Sequence, residues 1–283
     1  MEDSIQGMVD KARKAFREVE YWPQEKVDEM VQAVAWELLK EDVRHKLGHM
    51  AVDESAIGNA EDKVNKIKNK TLGTLWDMRN AKTCGLIEEN KALGIRKYAK
   101  PIGVIANVVP CTNPESTICC LALSTLKTRN AQIVSPHPRT QKTSYETVRH
   151  VRKGLEKVGA PVDLMQCIKK TSHARTAELM ANCDFAVATG GAALIEVVYR
   201  AGKPAQTVGA GNVVSIVDDT VDLAAAAHKI RLSKIANNSA SCSSENAVAL
   251  YESIYDDMVA ALKSEGGYLC STDNRLLISA PPP

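Results

Sequence analysis

The chain has 283 residues, a formal net charge of +2 and an aromatic content of only 4%. Because its charges are spread along the chain and stacking side chains are few, the composition argues against a nucleic-acid-binding protein. No apolar run approaches the roughly 20 residues that span a bilayer, and the N-terminus does not resemble a signal peptide, so we expect no membrane partner. Eight cysteines, without CxxC or zinc spacing, predict a reduced, cytoplasmic protein.

The first part of the chain predicts helices. Apolar residues recur at helical spacing over residues 5–16 and 27–38, and Pro23 marks the break between these two helices. A third, partly solvated helical region is predicted over residues 61–78, and residues 79–100 are expected to supply extended segments. The first helix could dock a partner or pack on its own domain, and we favour the second interpretation.

From Pro101 onward, short β-branched runs alternate with helical segments. This alternation predicts a parallel, doubly wound sheet with helices on both faces. The predicted strands are 102–109, 131–134, 164–168, 185–188 and 205–208, and the predicted helices between them are 112–128, 141–158, 172–182 and 192–201. Ligands of such sheets bind beyond the carboxyl ends of the strands, where this sequence has TNP, SPHP, TGG and GAGN.

These strand ends carry residues suited to a nucleotide, although no G-x-G-x-x-G fingerprint follows a predicted strand. Thr189, Gly190 and Gly191 open a predicted helix whose N-terminal amides could accept a diphosphate. The turn Ser135-Pro136-His137-Pro138 is suited to one side of an adenosine. Ordinary alternatives are a tight strand-to-helix turn for TGG and a surface turn for His137.

Cys242 is a candidate nucleophile because it lies among small residues, in the segment SASCSSEN (239–246). Little bulk surrounds the sulfur, so a substrate carbonyl could reach it, and backbone or hydroxyl donors could meet a thiolate. On this pattern alone, a cysteine without a chemical role is the more frequent case.

Taken in order, five motifs resemble the aldehyde dehydrogenase superfamily and, within it, the CoA-acylating branch. They are KPIGVIANVVPCTNP (100–114), LKTRNAQIVSPHPR (126–139), FAVATGG (185–191), GKPAQTVGAGN (202–212) and SASCSSEN (239–246). The resemblance implies an aldehyde dehydrogenase-like α/β fold. Residues 1–209 would form the N-terminal helices and an NAD(P)-binding domain, and residues 210–283 would begin an incomplete catalytic lobe.

The resemblance also implies roles for individual residues. Cys242 would attack the aldehyde, and the Asn113 amide would hold the oxyanion together with the Cys242 backbone N–H. Hydride transfer to NAD(P)+ would leave a thioester on Cys242, and coenzyme A would take the acyl group. The residues expected to line the cofactor are Pro110, Thr112, Ser135, His137, Pro138, Arg139, Thr189, Gly190, Gly191, Val208, Gly209 and Gly211.

The sequence departs from the family pattern in two places. Val208 stands where hydrolytic members carry the glutamate that activates water, which favours the acylating branch. The chain also ends soon after Cys242, whereas the family continues through a larger catalytic lobe and an arm that completes the oligomer. We therefore expect a fragment of a protein that is a homo-oligomer at full length.

Several alternatives stay open at this point. One is a hydrolytic or phosphate-dependent dehydrogenase, with a base such as Glu245 in place of the missing glutamate. Another is a nucleotide-binding or assembly module without turnover. The SCSSEN segment resembles sulfoacetaldehyde-acylating members, so we predict a small aldehyde, with sulfoacetaldehyde preferred over acetaldehyde. NAD and NADP are not distinguished, because no acidic residue follows SPHP and Arg139 could tolerate a 2′-phosphate. A bacterial microcompartment is the alternative to free cytoplasm.

Overall fold

The computed structural model describes residues 4–209 and 211–271. The chain divides into two compact units, Met1–Ala210 and Gly211–Pro283. None of the helices in the described ranges is long and apolar enough to cross a membrane.

The first unit begins with four helices: α1 (Ile5–Val19), α2 (Gln24–Leu39), α3 (Glu41–Ser55) and α4 (Ala60–Met78). Ser4 caps α1 by accepting a hydrogen bond from the Gly7 N–H at 3.1 Å, and Pro23 precedes α2 as predicted. The sequence pattern does not separate α3 as a helix of its own. Only Lys40, with a ψ of 138°, interrupts the helical backbone between α2 and α3, and a single extended lysine gives no sequence signal.

The first helix packs on its own unit. Its buried residues face the core, and its Arg13 guanidinium donates to both Asp184 carboxylate oxygens, at 2.8 and 2.9 Å. The Asp184 carboxylate also accepts the Val104 N–H at 2.8 Å. Because a side chain on Gly103 (φ 132°) would collide with this carboxylate, the strand that follows can begin here only with glycine.

An exposed antiparallel hairpin follows the helices. It consists of β1 (Gly85–Asn90) and β2 (Ile95–Ala99), within the stretch for which extended segments were predicted. Its surface includes large apolar side chains, among them Leu93 at 69% and Tyr98 at 56% exposure.

The centre of the first unit is a five-stranded parallel sheet. In chain order its elements are β3 (Val104–Val108), α5 (Pro114–Lys127), β4 (Ala131–Ser135), α6 (Gln141–Lys157), β5 (Met165–Cys167), α7 (His173–Asn182), β6 (Phe185–Thr189), α8 (Ala192–Arg200) and β7 (Ala205–Val208). The strand order is β5-β4-β3-β6-β7, and every pairing is parallel. The predicted alternation of strands and helices is confirmed.

The chain runs outward from β3 to β5 and then returns across β3 to β6. Because right-handed crossovers are the rule, this reversal places α5 and α6 on one face and α7 and α8 on the other. The sheet is therefore doubly wound, and its topological switch point lies between the carboxyl ends of β3 and β6.

The second unit contains β8 (Val213–Val217), α9 (Leu223–Ile235), β9 (Glu245–Leu250) and α10 (Tyr255–Ser264). The two strands pair in parallel, and the buried apolar residues in the described part of this unit form a small cluster: Val217, Ala226, Ala227 and Met258. Two parallel strands with two helices agree with the predicted incomplete α/β lobe.

Candidate active site

Four of the predicted site segments lie at one edge of the sheet. The neighbouring strands β4, β3, β6 and β7 all point the same way, so the segments after their carboxyl ends are adjacent. Those segments are 136–139, 109–113, 190–191 and 209. The structure thus brings the first-unit residues of the candidate site together at the switch point, where doubly wound sheets bind ligands.

Asn113 lies at the start of α5, directly before Pro114. Asn113 is 8% exposed. Its backbone carbonyl accepts hydrogen bonds from the Thr117 N–H at 3.1 Å and from the Thr117 hydroxyl at 2.8 Å. The Asn113 side chain makes no capping hydrogen bond to α5. The Asn113 side chain therefore does not serve as the N-cap of α5.

A buried lysine fixes the loop before Asn113. Lys63 of α4 is fully buried, and its ammonium donates to the Thr112 carbonyl at 2.5 Å. Burial lowers the pKa of Lys63, an effect that Glu115 and Cys111 oppose. Burial likewise raises the pKa of Glu115, and the nearby Lys63 charge opposes this increase.

Sequence reasoning missed both Lys63 and Glu115. Lys63 lies in a lysine-rich helix that reads as partly solvated, so no pattern separates it from its exposed neighbours. Glu115 gave a usable signal, because a carboxylate at the start of an otherwise apolar helix is expected to have a partner when buried.

Hydrogen bonds hold the end of β4 and the segment that follows it in place. The Ser135 hydroxyl is buried, 2.8 Å from the Thr176 hydroxyl and 3.3 Å from that of Thr171. Nδ1 of His137 accepts the Arg139 N–H at 3.1 Å, and the Arg139 guanidinium donates to the Ser55 carbonyl. Burial, and then the Arg139 charge, lower the pKa of His137 and so favour its neutral imidazole. Pro138 is exposed.

The segment after β6 leaves room for a ligand. Thr189 and Gly190 are half-buried and Gly191 is exposed, and a Cβ on Gly191 would meet nothing within 4 Å. Gly191 is the N-cap of α8 without a side-chain capping bond. The Leu194 N–H donates to the Gly191 carbonyl at 3.0 Å. The amides of Ala192 and Ala193 begin the helix, where an amide has no partner within the helix and can bind an anionic group.

The end of β7 lies beside this segment, since the Gly190 N–H donates to the Val208 carbonyl at 3.1 Å. Val208 is 49% exposed, so it is not a core residue of the first unit. A Cβ on Gly209 would approach Cδ1 of Ile195 to 2.7 Å. The strand therefore passes close to α8, and its last side chain is an apolar group that cannot move a proton.

Cys242 lies in the second unit, in a turn between α9 and β9. The Ser244 N–H donates to the Ser241 carbonyl at 3.1 Å and closes this turn. Three consecutive residues before it, Asn237, Asn238 and Ser239, have left-handed backbones with φ of 50°, 53° and 60°. Such a conformation costs on the order of 1 kcal/mol for a residue with a side chain, and strain of this kind concentrates at functional sites.

Gly211 is a neighbour of Cys242 in the same unit. A Cβ on Gly211 would lie 3.5 Å from the Cys242 carbonyl oxygen. The structure therefore places one predicted glycine of the GAGN segment directly against the backbone of the predicted nucleophile. Glu245, the alternative base, is half-buried at the start of β9.

Among the eight cysteines, all within the described residues, Cys242 alone is exposed. Burial raises the pKa of Cys119 and of Cys167, which keeps these thiols protonated and unreactive. Cys119, Cys167 and Cys183 are core residues. By its exposure, Cys242 is the strongest candidate nucleophile among these thiols.

These features define an α/β protein with a ligand-binding sheet edge and an accessible thiol. The profile of the aldehyde dehydrogenase family matches residues 1–269. The chain belongs to the aldehyde dehydrogenase family.

The chain is similar to acylating members of that family. It is 42% identical to the acylating sulfoacetaldehyde dehydrogenase of Bilophila wadsworthia (strain 3_1_6), over 96% of this chain and 59% of the relative. It is similar to the crystal structure of an acetylating aldehyde dehydrogenase from Geobacillus thermoglucosidasius, with a TM-score of 0.91 and 34% identity, covering 95% of this chain and 60% of that one.

An engineered glycolyl-CoA reductase with bound NADP+ has a TM-score of 0.85 to this chain and 28% identity, covering 98% of this chain and 63% of the reductase. The chain spans only 56% to 59% of the length of the curated sulfoacetaldehyde dehydrogenases that it matches.

Proposed function

We propose that the protein to which this chain belongs is a CoA-acylating aldehyde dehydrogenase, which oxidises a small aldehyde with NAD(P)+ and transfers the acyl group to coenzyme A. The observation that carries the proposal is the 42% identity to an acylating dehydrogenase over 96% of the chain. The exposure of Cys242 supports it, because an acylating mechanism needs a thiol that both the aldehyde and coenzyme A can reach.

In this proposal Cys242 is the nucleophile. Its thiolate adds to the aldehyde carbonyl, and the carbonyl oxygen becomes an oxyanion. Asn113 donates its amide N–H to that oxygen, with the Cys242 backbone N–H as the second donor, an effect typically worth about 3 kcal/mol in the transition state. When the oxyanion collapses, the carbon loses a hydride and a thioester on Cys242 remains.

We propose the sheet edge of the first unit as the dinucleotide site, with NAD(P)+ accepting the hydride when bound. The open space at Gly191 and the uncapped N-terminus of α8 fit a diphosphate. Pro110, Thr112 and Thr189 lie at the neighbouring strand ends, with His137 and Pro138 beyond β4. Ser135 and Arg139 contribute by holding this loop, since their polar groups are bonded to Thr176 and Ser55. In this assignment the first unit is the NAD(P)-binding domain and the second begins the catalytic domain.

The acceptor of the acyl group is proposed from the residue at the end of β7. The Val208 side chain cannot act as a base, so water attack on the Cys242 thioester lacks the general-base assistance that is typically worth 10²–10⁴-fold. Coenzyme A needs less help, because part of its thiol is ionised near neutral pH. Glu245, half-buried at the start of β9, is the alternative base. The test below therefore includes a variant of Glu245.

The aldehyde is proposed to be sulfoacetaldehyde, with acetaldehyde as the second candidate. Support comes from the SCSSEN segment and from the relative named above, which is a sulfoacetaldehyde dehydrogenase. We also propose a homo-oligomer, supported by the apolar side chains on the exposed β1–β2 hairpin. A cytoplasmic location, free or within a microcompartment, is supported by cysteines that are all free thiols.

The test is to assay purified full-length protein with sulfoacetaldehyde or acetaldehyde, with NAD+ or NADP+, in the presence and absence of coenzyme A. We expect steady NAD(P)H formation that requires coenzyme A, with at most one turnover without it. Free acid formed at the same rate in both conditions would contradict the acylating assignment. Repeating the assay with Glu245→Gln then shows whether Glu245 is the base.

A further inference from the structure

Two histidines and a glutamate form a cluster on the surface of the first unit, away from the strand ends. His45 and His49 lie four residues apart on α3, so their side chains share one helix face. Glu61, in the first turn of α4, points toward them: its Oε1 is 3.7 Å from Nε2 of His49 and 4.0 Å from Nδ1 of His45. Each residue offers one ligand atom, and these atoms all lie within 4.8 Å of one another.

We propose that His45, His49 and Glu61 bind a late first-row divalent metal ion, for which Zn2+ is the representative. Two imidazoles and one carboxylate are a donor set that such ions accept, with water in the fourth position. Mg2+ and Ca2+ prefer oxygen ligands in larger number, so this cluster does not suit them. The proposal is independent of the dehydrogenase function.

The distances fit metal binding after small rotations of the side chains. Zn–N and Zn–O bonds near 2.1 Å in a tetrahedral site place the ligand atoms about 3.4 Å from one another. The observed contacts to Glu61 exceed this value by less than 1 Å. The side chains of His45, His49 and Glu61 are 43%, 55% and 69% exposed, so they can move inward without repacking the core. Their helices are in extensive contact, which keeps the backbones in place.

A second carboxylate lies near one of the imidazoles. Oε1 of Glu41 lies 4.0 Å from Nε2 of His45, while Nδ1 of the same ring faces Glu61. A proton on Nε2 can therefore be directed at Glu41, which leaves the Nδ1 lone pair for the metal. Carboxylate partners of this kind fix the tautomer of metal-binding histidines in known sites.

The competing explanation is electrostatic. The same contacts would arise if the two histidines were protonated and formed surface ion pairs with Glu61, a contribution typically worth about 0–1 kcal/mol. The two explanations differ in one measurable respect, since only the first gives the wild-type chain a metal-binding equivalent that disappears with either histidine.

The experiment is a calorimetric titration of the tag-free 283-residue chain with ZnCl2, alongside His49→Gln and the matched control His173→Gln. His173 is an exposed histidine at the start of α7, and all three proteins keep the same cysteines, so binding to thiols is common to them. We expect the wild type and His173→Gln to bind one more equivalent than His49→Gln, or to bind it at least tenfold more tightly.

Glu61→Gln tests the third ligand, and MgCl2 replaces ZnCl2 as the control for cation type. We expect Glu61→Gln to weaken Zn2+ binding and Mg2+ to give no site-specific heat. Circular dichroism establishes that each variant is folded, which the exposure of these side chains favours. Equal Zn2+ stoichiometry and affinity in the wild type and His49→Gln, including no binding by either, overturns the proposal.

Discussion

Asn113 and Cys242 are held in very different ways. The loop that carries Asn113 is bonded to a fully buried lysine, and Asn113 itself is 8% exposed. Cys242 is exposed, in a turn that follows three left-handed residues. The difference matches the proposed chemistry, because an oxyanion donor is effective only when its position is fixed in advance, whereas a nucleophile must be reached by two successive substrates.

The largest effect is expected at Cys242. Cys242→Ala removes the only proposed covalent route, so aldehyde oxidation should be abolished while NAD(P)+ binding, which depends on the first unit, is nearly unchanged. Steady-state NAD(P)H formation and cofactor binding by fluorescence measure the two properties. Cys270→Ala, a half-buried cysteine of the same unit, is the control and should keep its activity. Substantial turnover by Cys242→Ala would refute the assignment.

The second-largest effect on turnover is expected at Asn113, the proposed oxyanion donor. Asn113→Ala should lower kcat by about 10²-fold or more with a modest change in KM, because an oxyanion donor acts chiefly in the transition state. Rates are measured per folded molecule, with thermal denaturation beside them. A variant that loses stability but keeps its rate would instead favour a turn-forming role for Asn113 before Pro114.

How much of this arrangement the sequence predicts depends on whether a feature is local. The strands β3 to β7 were predicted within a few residues, because each is an apolar run bounded by turn residues. Cys242 was also selected as a candidate nucleophile from the sequence, because the small residues around it are its neighbours along the chain. Both features were predictable because residues adjacent in the sequence determine them.

Features set by distant partners were not predictable. The buried Lys63 meets Thr112, 49 positions along the chain, and lies in a helix whose other lysines look the same in sequence. Ser135 was expected to line the cofactor, and no sequence pattern indicates that its hydroxyl lies 2.8 Å from that of Thr176, 41 positions away. Such pairs depend on how the strands and helices pack, which periodicity does not reveal.

The third prediction concerns the charges buried in the first unit. Glu37 of α2 is 3% exposed and accepts hydrogen bonds from Lys157 at 2.5 Å and His150 at 3.1 Å, with Lys40 at 2.7 Å. Burial raises its pKa, but the hydrogen bonds with Lys157, Lys40 and His150 and the Lys157 charge outweigh that effect and lower it from 4.5 to about 2. Because the folded-state pKa is lowered, the stabilisation is complete above about pH 4.5 and is lost as the pH falls toward 2.

Glu37→Gln should therefore lower the free energy of unfolding at pH 7 by on the order of 3 kcal/mol, and the loss relative to the wild type should shrink at pH 3. Urea denaturation at both pH values measures this. Glu29→Gln, an exposed glutamate on the same helix, should change little at either pH. An equal loss at pH 7 and pH 3 would show that packing, and not charge, makes Glu37 important.

The smallest effect is expected at Lys63. Its substitution tests most directly whether the firm hold on the Asn113 loop, in contrast to the exposed Cys242 turn, matters for catalysis. Lys63→Met keeps an unbranched side chain, one atom shorter, and removes the ammonium, so the Thr112 carbonyl and the buried Glu115 lose their cation. We expect the free energy of unfolding to fall by about 1–3 kcal/mol. The loop before Asn113 should also be held less firmly, with kcat about tenfold lower and KM changed less.

Lys68→Met is the matched control, because Lys68 is an exposed lysine on the same helix, and its stability and kcat should stay at wild-type values. Stability and kcat must be read together, since they separate two roles for Lys63. If Lys63→Met is less stable but its folded molecules turn over at the wild-type rate, the lysine serves only the fold, and Asn113 keeps its position without it. If kcat falls while KM is retained, the buried ammonium positions the oxyanion donor, and the rigidity of that loop is part of catalysis.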